Sequence, residues 1–482
     1  MNARAAAIKP FPRSVCVDLD GTLLATDTLA EGVMRLLKGN PLMVFLLPYW
    51  WLLGKARLKA EVATRTNLDV GSLPYRRTVL DALELRKAEG SQLFLTTGAH
   101  RTVAEAVARH LGIFDGVFFT EGDVNLTSHA KRDLLVAKFG EKGFDYFGNS
   151  RDDIEIFEHA GDVTVVAPDA AAKKWAQGNA TGVIEGEMVS WKTYLKAIRV
   201  HQWLKNSLVF APLFLSHMEY QVAAVVQVVI AFFAFSFAAS AVYILNDLID
   251  LQSDRQHATK RNRPFAAGKL SIFTGAQMAV GLSIASGLLA TLLPLAFGVS
   301  LLVYAAITTA YSFWLKKKLL VDVFTLAGLY SLRVIAGAAA IGTDNSFWLL
   351  AFSLFFFLGL ALVKRQVELA AAVSLPSHGA LSGRGYRASD LDVISMSGLC
   401  AAFASVLVLA LYIDSPEVRT HYNQPWLLWP LCPMTLYLTI RIWVLAYRGE
   451  MKEDPVQFLM MDWRSQLVIA AGAALVMLAT IV

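Results

Sequence analysis

From about Trp203 to Val482 the chain is a series of apolar runs of roughly 20 residues divided by short polar turns. A run of that length crosses the hydrocarbon core of a bilayer, and there a helix satisfies its own backbone. This stretch is therefore expected to fold as an all-α polytopic membrane domain. About nine transmembrane helices are expected, near 203–217, 222–245, 273–293, 296–315, 320–341, 347–363, 393–413, 426–446 and 466–482. Loops on one side of these spans carry fifteen Lys and Arg residues, and those on the other carry Arg419 alone. Positive charge collects on the cytoplasmic side. The expectation is a multi-pass protein of a bacterial inner (plasma) membrane, with its N-terminal half cytoplasmic and Val482 outside. Charged residues make up 17% of the chain, below the about 25% usual in soluble domains. The net charge of +5 is modest and does not suggest nucleic acid.

Met1 to about Arg199 reads as soluble. Its opening, MNARAAAIKPFPRS, has no hydrophobic segment, so no secretory signal is expected. Cys16, Cys400 and Cys432 lack the spacing of a disulfide framework or a zinc site and are expected as free thiols. SVCVDLDGTLL (14–24) is an apolar strand ending in DLDGT. QLFLTTGAHR (92–101) is a second, ending in Thr-Gly, and FDYFGNSRDD (144–153) a third, ending in a polar loop. Lys131 falls between the last two, in HAKRDLL. Strands alternating with helical patterns predict a parallel α/β sheet whose carboxyl-end loops converge on one crevice. The residues from Thr26 to Gln92 are too many for a simple loop and read as helical. Within them, PLMVFLLPYWWLLGKARLK (41–59) has an apolar run too short to span easily. Its Trp50, Trp51, Lys55, Arg57 and Lys59 suit a helix lying in the membrane interface.

NDLIDLQSDRQHATKRNRP (246–264) ends an apolar run with alternating acids and bases. Positive charge there follows from topology; the acids do not. On a helix Asn246, Asp247, Asp250 and Asp254 are spaced to share one face. Such oxygens suit Mg²⁺, a hard cation that takes a substrate phosphate as a further ligand. Lys260, Arg261 and Arg263 follow as candidate phosphate contacts. His201, His257 and His378 are read as hydrogen-bonding surface residues rather than bases. The Gly- and Ser-rich loop 374–392 is either a connector or a segment that orders over a ligand.

The N-terminal motifs together resemble the haloacid-dehalogenase-like (HAD-like) phosphatase superfamily over about residues 12–185. That resemblance implies a Rossmannoid sheet with a helical cap at about 26–91, in a cytoplasmic domain spanning 1–185. It implies Asp18 as nucleophile and Asp20 as the acid/base that protonates the leaving alcohol and activates water. Thr97, with Thr96 a weaker candidate, would bind phosphoryl oxygens, and Lys131 would neutralise charge. Mg²⁺ would be held by Asp18, Asp20, Asn149 and Asp153, with Asn149 standing where many members have Asp. Asp20 favours a phosphatase over a dehalogenase.

NDLIDLQSD resembles the NDxxDxxxD motif of the UbiA-type intramembrane prenyltransferases, over about residues 190–482. Most members carry a second aspartate-rich motif. The matching region here, 316–337, has a single carboxylate, Asp322. HQWLKN (201–206), NDLIDLQSDRQHATKRNRPFAAG (246–268), VDVFTLAGLYSLRVIAG (321–337) and KRQVELA (364–370) together look like the decaprenyl-phosphate phosphoribosyltransferase family. By that resemblance Asn246, Asp247, Asp250 and Asp254 hold Mg²⁺ and the diphosphate of 5-phosphoribosyl diphosphate. Lys205, Lys260, Arg261, Arg263, Asp322, Arg333, Lys364 and Arg365 are the candidates for substrate binding. A partly helical linker, 186–200, would join the phosphatase to this UbiA-like domain, 201–482. The expected partners are a polyprenyl phosphate, 5-phosphoribosyl diphosphate and the bilayer, with a homo-oligomer left open. The expected product is polyprenyl-phosphoryl ribose, after the phosphatase removes the 5′-phosphate. Two alternatives stand beside this reading. One is an aromatic prenyltransferase fused to an unrelated phosphatase; the other is a transporter or receptor with a degenerate soluble domain.

Overall fold

The computed structural model describes residues 13–121, 126–216, 221–344, 346–373, 384–416, 418, 422–451 and 454–481. The chain divides into two compact units, one of Met1–Ile198 with Ile244–Met278, the other of Arg199–Tyr243 with Ala279–Val482. The expected division falls at residues 185–201, with everything after it in the membrane domain. The acid-and-base segment after the second apolar run instead belongs with the N-terminal unit.

The first unit is built on six parallel strands, β1 (Ser14–Val17), β2 (Leu93–His100), β3 (Gly116–Thr120), β4 (Phe144–Gly148), β5 (Val163–Val166) and β6 (Gly182–Ile184). Their order is β3-β2-β1-β4-β5-β6. The strands are covered on both faces, so they alternate between two cores rather than between core and water. Val15, Val17 and Leu95 enter one cluster and Cys16, Phe94 and Tyr146 the other. The chain order reverses direction between β1 and β4, and a crevice opens there at the carboxyl ends of a doubly wound sheet. This is the expected HAD-like Rossmannoid architecture.

Between β1 and β2 lie helices α1 (Thr28–Gly39), α2 (Leu47–Leu52), α3 (Lys55–Arg65) and α4 (Arg77–Ala88). The expected cap at 26–91 is smaller than predicted. Val79, Leu80 and Leu83 of α4 pack with Val15, Val17 and Leu93, so α4 is a layer of the sheet and the cap is formed by α1 to α3. Further along, α5 (Ser128–Phe139) carries Lys131, and α6 (Trp191–Ala197) makes the linker partly helical, as expected.

The second unit is helical. Eight helices among the described residues are long and apolar enough to cross a membrane. They include α7 (Val222–Ile249), whose last turn enters the first unit, α8 (Val321–Ile341) and α9 (Phe347–Val373). The chain is thus a multi-pass membrane protein. The first expected span is not a long α-helix. It is a 3₁₀ stretch, Val200–Phe210, followed by a short helix, Ala211–Leu215. Two polar side chains, Lys205 and Asn206, are buried there rather than turned to lipid.

Candidate active sites

At the end of β1 the chain turns through Gly21, whose φ is +81°. A Cβ there would lie 2.3 Å from the Asn149 amide nitrogen, so only glycine lets the β1 and β4 loops approach so closely. Asp18, Asp20, Lys131, Asn149 and Asp153 all line one cavity of about 270 Å³. Lys131 Nζ lies 2.8 Å from Asp18 Oδ1 and 3.8 Å from the Asp153 carboxylate. Asp153 is saturated, accepting from the Tyr146 hydroxyl, the Asn149 and Ser150 N–H groups and the Ser150 hydroxyl. It therefore holds the β4 loop in shape.

Burial raises the Asp18 carboxyl to about 6, against the lowering effect of the Lys131 ammonium. Burial and then the charges of Asp27 and Asp18 push Asp20 well above the usual carboxylate range. Burial alone would lower Lys131, but Asp18 and Asp153 outweigh it and raise its pKa. Two neighbouring carboxyls, one of which holds its proton more tightly, with an ammonium group beside them, are the residue types that phosphomonoester hydrolysis uses.

Two expected residues sit differently. Thr97 is wholly buried within β2, its hydroxyl accepting the Ala99 N–H, and the cavity wall there is made by Gly98 and Ala99. The Asp20 carboxylate accepts the N–H and hydroxyl of Thr28, capping the start of α1. That use of both oxygens fits acid/base work better than metal ligation. Lys59 was not anticipated as a site residue. It reaches from α3 into the cavity and donates to the Gly98 carbonyl at 2.7 Å. Burial lowers its pKa, with Asp20 and Asp27 opposing. Its sequence signal was only the basic run 55–59.

Among the described residues no three His, Cys, Asp or Glu side chains group closely enough to hold a metal alone. Mg²⁺ needs only one or two carboxylates when phosphate and water complete its shell. Asp18 Oδ2 and Asn149 Oδ1 meet this demand, lying 3.3 and 3.1 Å from the same Thr22 hydroxyl.

The second acidic cluster also lies in the first unit. Arg263 places one nitrogen 3.1 Å from Asp247 and 2.6 Å from Asp254. Two buried carboxylates therefore converge on one cationic group, a spacing that a divalent ion can bridge. The other two expected ligands do not join them in this arrangement. Asp250 turns to Lys38 of α1 at 2.7 Å, and Asn246 is half-buried one turn earlier. The four residues do not share a single focus, because Asp250 breaks the helix between α7 and the short helix Leu251–Gln256. Lys260 and Arg261 are exposed beside them.

Within the second unit Lys205, Lys364, Arg333 and Tyr330 gather around Asp454, a residue the sequence reading missed. The Asp454 carboxylate lies 2.9 Å from Lys205 and 3.1 Å from Lys364 and accepts the Tyr330 hydroxyl. Burial alone would raise its pKa, but the two ammonium groups hold it well below the usual carboxylate range. Arg333 is boxed by the rings of Phe235, Tyr304 and Tyr330 and donates to Asn206. Two ammonium groups on one carboxylate, with Arg333 stacked on the Tyr330 ring beside them, leave an excess of positive charge in a buried place. Asp322 and Arg365 correct the expectation of substrate contact. Both are without exposed surface and are paired at 2.6 Å, with Tyr386 donating to Asp322. They tie α8 to α9 instead. His378 and much of the loop 374–392 lie outside the described residues.

Residues 208–463 match the model of the UbiA prenyltransferase family. The chain belongs to that family, and a doubly wound α/β unit precedes the family domain. An uncharacterized protein, y4nM, from Sinorhizobium fredii is 36% identical over 95% of this chain and 89% of its own length. A decaprenyl-phosphate phosphoribosyltransferase from Mycobacterium tuberculosis is 32% identical over 58% of this chain and 92% of its own. A solved UbiA homolog from Archaeoglobus fulgidus, bound to GPP and Mg²⁺, aligns at TM-score 0.44 with 16% identity, over 59% of this chain and 99% of that one.

Proposed function

We propose that the membrane unit transfers 5-phosphoribose from 5-phosphoribosyl diphosphate to a polyprenyl phosphate, and that the phosphatase unit then removes the 5′-phosphate. The observation that carries this reading is the enclosure of Asp322. A prenyl-diphosphate donor calls for a second acidic motif, and the single carboxylate in that region is consumed by Arg365 and Tyr386. A sugar diphosphate with a monophosphate acceptor fits one acidic motif and an excess of buried cations.

In this reading Asp247 and Asp254 would hold Mg²⁺ and the donor diphosphate, while Asp250 stays with Lys38. The ion would neutralise charge on the leaving diphosphate. Arg263, Lys260 and Arg261 contact its oxygens. Lys205, Lys364 and Arg333 supply charge for a phosphate, and Asp454 bridges the two lysines and offsets their mutual repulsion. The lipid phosphate oxygen attacks the anomeric carbon as the bond to diphosphate breaks, so no strong base is needed. In the phosphatase, Asp18 takes the phosphoryl group as Asp20 protonates the departing ribose oxygen; Asp20 then takes a proton from the water that attacks the phosphorus, breaking the bond to Asp18 and releasing phosphate, and Lys131 offsets the charge. Asp18 and Asn149 are the residues fitted to hold Mg²⁺ there.

The same reading places the first unit in the cytoplasm. The chain leaves that unit at Ile198 and is back in it at Ile244, and α7 supplies one crossing between. Val200–Leu215 then supplies the other. Eleven 3₁₀ residues and five α residues reach about 30 Å, the thickness of the hydrocarbon core. Nine crossings leave the C-terminus outside.

Purified protein given polyprenyl phosphate, 5-phosphoribosyl diphosphate and Mg²⁺ should yield the dephosphorylated lipid by mass measurement. Asp18→Asn should stop at the phosphorylated lipid. Identical products from both proteins, or product only from a prenyl diphosphate and an aromatic acid, would overturn the proposal.

A further inference from the structure

The cap carries a hairpin, Pro41–Leu53, made of a 3₁₀ turn and α2. No charged residue lies between Asn40 and Gly54. One side is anchored: Trp50 is buried with Leu36 and Val62, and the Arg65 guanidinium sits 5.0 Å from its ring. The opposite side exposes Leu42, Phe45, Tyr49, Trp51, Leu52 and Leu53, with Phe45 76% and Leu52 80% accessible. A soluble surface seldom presents so continuous an apolar patch without a partner.

A second observation fixes its level. Lys38, three residues before the hairpin, pairs with Asp250 at 2.7 Å and reaches the Ser253 hydroxyl at 3.0 Å. Asp250 is the first residue beyond α7, a 28-residue apolar helix. The hairpin therefore begins near the end of a helix long and apolar enough to cross a bilayer. Lys55 and Arg57 follow it on exposed positions, at the height of anionic headgroups.

We propose that Pro41–Leu53 inserts into the cytoplasmic leaflet and seats the phosphatase cap on the lipid surface, so that the cavity receives phosphomonoesters carried by lipids in preference to diffusible ones. The hairpin runs into α3, and Lys59 is six residues beyond Leu53, about 9 Å along the helix. A leaflet contact just before α3 thus bears on the Lys59 ammonium, about one turn into that helix, where it donates to the Gly98 carbonyl. The insertion stands independently of the phosphoribosyl reading; the preference for lipid substrates deepens it.

The test uses the full chain with Cys400→Ser and Cys432→Ser, reconstituted in phosphatidylcholine–phosphatidylglycerol vesicles. A spin label at Phe45→Cys or Leu52→Cys should show higher accessibility to oxygen than to a nickel chelate, whereas one at Glu84→Cys should show the reverse. The same accessibility at Phe45 and Glu84 would overturn insertion. The double variant Phe45→Asp with Leu52→Asp should lower the ratio of hexadecyl phosphate to p-nitrophenyl phosphate turnover at least five-fold. An unchanged ratio would overturn the substrate preference. Neither assay contains 5-phosphoribosyl diphosphate, so a failed transferase experiment leaves both results standing.

Discussion

Asp18 and Lys131, both buried, face each other at 2.8 Å on the wall of the crevice, and in the proposed reading their pairing sets the phosphatase chemistry. Removing the lysine leaves two negative partners to meet with less compensation. Lys131→Met should lower kcat on p-nitrophenyl phosphate by about 10² or more, while retained thermal stability would separate this from misfolding. Asn149→Asp adds a negative ligand beside Asp18 and should lower the Mg²⁺ concentration for half-maximal phosphatase activity by about ten-fold. An unchanged Mg²⁺ titration would remove Asn149 from the metal's surroundings. Asp18, Asp20, Lys131 and Asn149 were legible because each follows a strand or sits at a fixed motif offset. Lys59 and Asp454 were not. Each is an ordinary charged residue in its own segment, and each acquires its role from contacts made across long stretches of sequence.

At the scale of elements, α1 links two chemistries. Its first N–H binds Asp20, and Lys38 in its last turn binds Asp250. Between them Glu31 makes a buried ion pair with Arg255, and Thr26 donates to the same carboxylate. Glu31→Gln leaves the Arg255 charge without its counter-ion and should cost about 3–5 kcal/mol. Adding Arg255→Met should restore most of that stability, as read by resistance to proteolysis on heating. The pair Asp322–Arg365 separates structure from binding in the other unit. Asp322→Asn should lower the thermal midpoint with little change in donor KM. Asp247→Asn should do the opposite, and a shared phenotype would contradict the distinction. The apolar runs made the helices legible, yet the first span misled. Its Lys205 and Asn206 mark an interior polar face, which disrupts the lipid-facing periodicity by which an ordinary spanning helix is recognised.

Across the whole molecule, the sequence revealed two folds and their order but not where one ends. The border was drawn at a change in composition. Packing instead assigns Ile244–Met278 to the phosphatase unit, because Arg255, Gln256 and Lys269 find Glu31, Asp69 and Glu187 there. That placement makes the membrane topology testable. In the background lacking Cys400 and Cys432, Thr343→Cys should react with an impermeant maleimide on intact cells, and Lys317→Cys only after lysis. The reverse pattern would invert the proposed orientation.

The Arg255, Gln256 and Lys269 contacts also bear on ancestry and engineering. A version cut at residue 199 would keep every spanning helix and yet orphan the acidic segment, stripping it of the neighbours against which its shape is held. Domain fusion here is therefore more than convenient proximity. The first unit holds the shape of the segment 244–278, and trading that unit for another would require the segment to be redesigned as well.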